Sequence, residues 1–151
     1  MQEAKFARGL MDEIKRSKDP RFHATLAWCS KIAKDMNTCD GDAEKQELHV
    51  AVVTWELLIG IGELEETLSG EVIELPPTST YCNQTDLLAP KHELVIDFDQ
   101  KTITVTATFV CFGTIVLPIN MTTEKQVDIE PLVLPLSEFA QARLEAQKEP
   151  T

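Results

Sequence analysis

Apolar residues follow a helical period from the start of the chain to about residue 70. The first helix is predicted over residues 3–17, and its apolar stripe consists of Ala7, Leu10, Met11 and Ile14. Asp19 and Pro20 predict the start of a second helix, because Asp caps the N-terminus of a helix and Pro suits the first helical position. Its apolar stripe consists of Phe22, Leu26, Cys29, Ala33 and Met36. Residues 37–41 carry turn-forming side chains and end this helix.

Residues 42–68 are the most apolar segment, and their length favours a helix despite a β-branched run at 50–54. One stripe contains Leu48, Val52, Trp55 and Ile59, and the other contains Val50, Val53, Leu57, Ile61, Leu64 and Leu68. A narrow polar line separates them and consists of Lys45, His49, Glu56, Gly60, Glu63 and Thr67. The pattern predicts a central helix that is buried on most of its circumference, with its polar line reaching solvent or a partner.

The period changes from helical to strand-like after Pro76 and Pro77. Apolar residues show no regular spacing over residues 76–90. Connections of this length inside a domain usually have a function or are mobile. Residues 94–98 and 102–111 then alternate apolar and polar side chains around a turn at Gln100 and Lys101, which predicts an antiparallel hairpin with a threonine-lined outer face.

The alternation continues past Gly113, which allows a bend. A third strand is predicted through Ile115, Leu117, Ile119 and Met121, with an edge or a break at Pro118. Residues 122–126 are predicted to turn into a fourth extended stretch over 127–134. Ser137 predicts the cap of a final helix, with Glu138 in its first turn and Phe139, Ala140 and Leu144 facing inward.

These elements predict an α+β fold, because alternating strand–helix–strand units are absent from the pattern. Three N-terminal helices come first, followed by an antiparallel β-meander of three to four strands and a C-terminal helix. The 151 residues are interpreted as one domain. It consists of a helical half at 1–75, a loop at 76–90, and the β half with the last helix at 91–148.

The net charge of −11 is unevenly distributed along the chain. Residues 1–39 have eight basic and five acidic groups, whereas residues 40–74 have one lysine against ten acids. An acidic chain argues against direct binding to nucleic acid or to an anionic membrane, because both need clustered Lys and Arg. The N-terminus lacks a signal-peptide pattern, no apolar stretch suits a membrane span, and the four cysteines form no Cys-x-x-Cys pair. We therefore expect a cytoplasmic protein with reduced thiols.

Candidate chemistry is sparse in the sequence. Residues 40–44 resemble the start of a calcium loop, but Lys45 and Ala51 occupy positions that need Gly and Glu. Asp97 and Asp99 are interpreted as solvated turn carboxylates. Cys29 and Cys111 lie on apolar stripes, so Cys82, with His92 as its base, is the remaining candidate nucleophile. We expect no catalytic residue, no metal ligand and no cofactor, and an enzyme would require an unusually reactive Cys82.

The acid surplus and the lack of catalytic motifs favour a non-catalytic interaction module, such as an adaptor, chaperone, inhibitor or immunity-type protein, that binds a basic partner protein. The predicted binding residues are Glu63, Glu65, Glu66, Glu71, Glu74 and, in the long loop, Tyr81. A solvated acidic face that only maintains solubility is the plain alternative. Two other functions stay open: a nucleic-acid-mimicking inhibitor of the viral anti-defence type, and a structural subunit that forms homo-oligomers.

Overall fold

The computed structural model describes residues 2–35, 42–68, 70–75, 91–115 and 121–148. The helices are α1 (Gln2–Arg16), α2 (Pro20–Asp35), α3 (Ala43–Thr67) and α4 (Glu138–Lys148). The strands are β1 (Ile73–Leu75), β2 (Lys91–Asp97), β3 (Thr102–Ile115), β4 (Met121–Asp128) and β5 (Leu132–Pro135). The predicted α+β class is confirmed, with three helices, an antiparallel sheet and a C-terminal helix in that order.

Side chains that cap the helices fix where they begin. Asp19 accepts a hydrogen bond from the Arg21 backbone N–H at 2.9 Å, and Ser137 Oγ accepts one from the Ala140 N–H at 3.1 Å. Both predicted starts are therefore confirmed. Asp42 caps α3 by accepting from the Lys45 N–H at 3.1 Å, and Leu68 ends that helix in a left-handed conformation with φ 50°.

The sheet is antiparallel in the order β1-β2-β3-β4, and β5 pairs with the first residues of β3. The predicted hairpin is formed by β2 and β3, with Asp97 opposite Thr102. In its turn, Asp97 Oδ1 accepts hydrogen bonds of 3.0 Å from the N–H groups of Asp99 and Gln100, and Lys101 has φ 56°. The interpretation of Asp97 as a turn carboxylate agrees with this geometry.

The prediction of a third strand through residue 121 and a turn at 122–126 is wrong. Strand β3 runs straight through Gly113 to Ile115, and Met121 begins β4 opposite it. Ile115 lies opposite Met121 in the ladder, and both positions are odd-numbered. The alternation in the sequence therefore continues in phase from β3 into β4 and gives no sign of where the chain reverses. The predicted stretch over 127–134 is likewise divided, because β4 ends at Asp128 and β5 begins at Leu132. Pro118 lies outside the described residues.

One layer of helices covers one face of the sheet, which we call the inner face. Its strands contribute Leu94, Ile96, Ile103, Val105 and Leu134 to a single core with Leu57, Ile61 and Leu64 of α3. The predicted stripe of α1 is buried as expected. In α2, Cys29 and Ala33 are buried, but Thr25 is fully buried while Phe22 and Leu26 are only half-buried, and Met36 lies outside the described residues. The Thr25 hydroxyl donates to the Arg21 carbonyl at 2.7 Å, which satisfies its polar group inside the core.

Two predictions about inward and outward side chains are wrong. Phe139 is 66% exposed, because the buried pair Ala140 and Leu144 defines the inner side of α4 and Phe139 lies about 100° away from it. The polar line of α3 does not reach solvent throughout, since His49 and Gly60 are buried. Gly60 faces the sheet, and a Cβ there would lie 3.3 Å from both methyl groups of Leu75.

The two glycines of α3 offer a matched test of this packing. Gly62 points into open space, so Gly62→Leu is expected to raise the free energy of unfolding by about 1 kcal/mol through helix propensity. Gly60→Leu is expected to lower it by about 1–3 kcal/mol, because the new side chain must displace Leu75. Urea unfolding followed by circular dichroism measures both. Equal effects at the two positions would contradict the described contact between α3 and β1.

Candidate functional site

The side of α3 that points away from the sheet has an apolar centre with acidic neighbours. Ile59 is 45% exposed there, and Trp55 beside it is half-buried and packs partly against the core. Glu56, Glu63 and Glu66 are exposed on the same side. We call these five residues the α3 outer face.

The three carboxylates of the α3 outer face lie close together. Glu63 and Glu66 are three residues apart, which places their Cβ atoms about 5–6 Å from each other, and Glu56 lies two turns from Glu63. Within the described part of the chain, no ion pair involves any of the three. Carboxylates around an exposed apolar side chain create a negative field that a basic partner can neutralise.

Burial of this side of α3 was overestimated from the sequence. Val52, Trp55 and Ile59 were assigned to an apolar stripe, and beyond Val52 that stripe is only partly covered. Leu48, at the start of the same stripe, is buried and lies beside Met11 of α1. The ion pairs that join α1 to α3, Arg8 with Glu44 and Lys15 with Glu47, lie in the first turns of α3, whereas Ile59 lies in its second half.

The structure separates Glu65 from the other predicted binding residues. Its side chain is 7% exposed and forms an ion pair of 2.9 Å with Arg21 Nη1. The same carboxylate oxygen accepts a 2.6 Å hydrogen bond from the Ser137 N–H. Glu65 lies about 200° around the helix from Glu63, so it points into the protein and adds no charge to the surface.

The remaining predicted residues lie in different surroundings. Glu71 is exposed after the end of α3, and Glu74 is exposed on β1, where it pairs with Lys91 at 3.2 Å. Tyr81 lies outside the described residues, as does the whole 76–90 loop around it. Of the five acidic residues predicted as one patch, the structure brings Glu63 and Glu66 together on one helix face.

Two exposed apolar side chains near the acidic residues were missed. Besides Ile59, Phe139 of α4 is exposed, and the Arg143 guanidinium lies over its ring at 5.7 Å from the centroid. Arg143 also donates a hydrogen bond to the Glu66 carbonyl, which fixes α4 against the end of α3. The sequence signal for Phe139 was present, since the Ala140–Leu144 spacing alone defines the inner side of the helix.

Burial shifts the pKa values of three titratable groups among the described residues towards their neutral forms. Burial raises the pKa of the Cys29 thiol to about 12, an effect that the nearby Thr54 hydroxyl only partly offsets. A thiol held protonated in this way is a poor nucleophile. Burial lowers the pKa of His92 to about 4, helped by neighbouring His49, whose own pKa burial also lowers. Cys82, the candidate nucleophile, lies outside the described residues.

The described residues contain neither a metal-binding cluster nor a membrane-spanning helix. Among the described residues, no group of three His, Cys, Asp or Glu side chains is arranged to hold a metal ion. The described helices include none that is long and apolar enough to cross a membrane. No family model, curated protein or solved structure matches this chain.

Proposed function

We propose that this protein is a non-catalytic interaction module that binds a basic partner protein through the α3 outer face. The observation that carries the proposal is the exposed Ile59, surrounded by Glu56, Glu63 and Glu66, which form no ion pair with any residue that the structure describes. The net charge of −11 supports a basic partner, since like-charged surfaces repel at long range. A cytoplasmic setting is part of this proposal, and the buried, protonated thiol of Cys29 is compatible with it.

The apolar and acidic residues have separate tasks in such an interface. Charges at the rim of an interface accelerate association and select partners, whereas buried apolar contacts slow dissociation. Ile59 and Trp55 provide the apolar centre, and the three glutamates provide the rim. Removing charge should therefore change the association rate, and removing Ile59 should change the dissociation rate.

The test uses the partner purified with this protein from its native host. The variant Glu56→Gln/Glu63→Gln/Glu66→Gln is expected to lower the association rate constant about tenfold at low salt. The difference should shrink as ionic strength rises, because salt screens exposed charges. Surface plasmon resonance at several salt concentrations measures this rate. Ile59→Ser is expected to leave association unchanged and to accelerate dissociation.

A control variant distinguishes the effect of the charges on the α3 outer face from the effect of the overall net charge. Asp12→Asn/Glu44→Gln/Glu47→Gln removes three other negative charges around the contact between α1 and α3, where Glu44 pairs with Arg8 and Glu47 pairs with Lys15. If this control slows association as much as the first variant, overall charge is responsible and the α3 outer face is excluded. If the captured partner binds DNA and DNA competes for the same site, the nucleic-acid-mimic hypothesis replaces the present one.

A further inference from the structure

The face of the sheet opposite the helices, which we call the outer face, has an apolar row that crosses its strands. Val95 of β2 lies opposite Thr104 of β3, which lies opposite Val133 of β5. Ile73 pairs with Leu94, so Val72, just before it, lies at the position opposite Val95. Val72 is 58% exposed and Val133 is 56% exposed. We call Val72, Val95, Thr104 and Val133 the valine row. With strands about 4.8 Å apart, it is about 14 Å long.

Carboxylates border the valine row on both sides. Two residues further along the strands, or about 7 Å away, Glu74 and Glu93 lie on one side and Asp97 lies on the other. All three are exposed. Glu74 and Glu93 are directly opposite each other in the ladder, an arrangement of like charges that destabilises a sheet. Lys91 pairs with Glu74, but both of these side chains are more than half exposed, so the pair compensates little.

The charge pattern identifies the kind of partner that fits this face. A second copy of the chain would bring Glu74, Glu93 and Asp97 against the same residues of an equally acidic molecule. A basic partner would instead neutralise carboxylates on both borders and bury the valines between them. The occupant is therefore a different protein, with apolar residues flanked by Lys or Arg.

The spacing of the borders favours a helix as the docking element. An α-helix with its side chains is about 10–12 Å wide, which matches a valine row with carboxylates about 7 Å to either side. An extended segment would direct every second side chain away from the sheet. We propose that the outer face binds an amphipathic helix of a partner protein, lying across the strands, with a narrow apolar stripe and basic residues along both its edges. About three helical turns would span the valine row.

This surface is distinct from the α3 outer face. Helix α3 packs its inner side on the sheet, so its outer face and the outer face of the sheet point in opposite directions. The two surfaces can be occupied at once, as in an adaptor that bridges two proteins. The inference does not depend on the proposed function of α3, because it uses different residues.

The experiment titrates the protein with a synthetic leucine–lysine helix of about five turns whose leucines form one stripe bordered by lysines. Methyl-selective NMR should show shifts at Val72, Val95 and Val133 and at few other methyl groups. Val133→Lys is expected to weaken binding of the peptide about tenfold, because it places a positive charge in the valine row, where it repels the lysines of the peptide. The matched control Phe6→Lys, which changes an exposed apolar residue of α1, should bind the peptide as wild type does.

Three results would overturn the inference. One is equal binding of a peptide with serine in place of leucine, which would mean that charge alone drives the contact. Another is an equal loss for Val133→Lys and Phe6→Lys. The third is a set of shifts confined to Ile59 and its neighbours, which would support binding at the α3 outer face and exclude the sheet.

Discussion

Replacing Glu65 with alanine is expected to lower the free energy of unfolding by about 3–5 kcal/mol, the cost of breaking a buried ion pair from one side. Arg21, with a side chain only 14% exposed, would lose its 2.9 Å partner. The Ser137 N–H would also lose its acceptor at the start of α4. Glu65 thus joins α2, α3 and the entry to α4. Its removal leaves the Ser137 N–H without its acceptor, and it leaves Arg21 with two weaker contacts, to Asp19 at 3.6 Å and to the Pro135 carbonyl at 3.4 Å.

Two further variants make this expectation specific. Glu65→Gln keeps an oxygen for the Ser137 N–H but loses the charge, so its effect should fall between those of wild type and Glu65→Ala. Glu63→Ala, two residues away on the exposed side of the same helix, should change stability by less than about 0.5 kcal/mol. Urea denaturation of all three variants at neutral pH measures the differences. A Glu65→Ala protein as stable as Glu63→Ala would refute the structural role.

This pair of glutamates illustrates where prediction from sequence succeeded and where it stopped. The helical period of residues 42–68 correctly predicted α3, because an apolar pattern of that length has few other solutions. The same period cannot identify a buried carboxylate, since its burial depends on an arginine 44 positions earlier and a backbone N–H 72 positions later. Charge counts along the chain therefore placed Glu65 in a surface patch that the structure does not contain.

The sheet shows a similar division between local and distant information. The β2–β3 hairpin was predictable because its turn has its own signals and its strands alternate clearly. Strand β1 has only three residues, too few for a clear alternation, and its Leu75 packs closely against Gly60 of α3. The valine row could not be recognised in the sequence either. Its four members belong to four separate segments and become neighbours only through the register of the strands. Surfaces made from several strands cannot be predicted from periodicity within one strand.

Acidification is expected to destabilise the protein through His92, by about 3 kcal/mol between pH 7 and pH 4. Burial, together with neighbouring His49, lowers the pKa of His92 from 6.5 to about 4 in the folded protein. Below pH 6.5 the unfolded chain binds a proton that the folded protein does not, so acid favours unfolding. The contribution is fully present above pH 6.5 and is lost as the pH falls towards 4. The pKa difference converts to about 3 kcal/mol.

The measurement compares urea unfolding of wild type and His92→Gln at pH values from 8 to 4. Carboxylates titrate in both proteins, so the difference between their free energies of unfolding isolates His92. As the pH falls from 8 to 4, the free energy of unfolding of wild type should decrease by about 3 kcal/mol more than that of His92→Gln. His23→Gln removes an exposed imidazole of α2 and should follow the wild-type curve. The imidazole of His92 is 7% exposed and lies beside the Trp28 ring, so protonating it in the folded protein costs free energy. If the free energies of unfolding of wild type and His92→Gln depended on pH in the same way, His92 would not be buried as described.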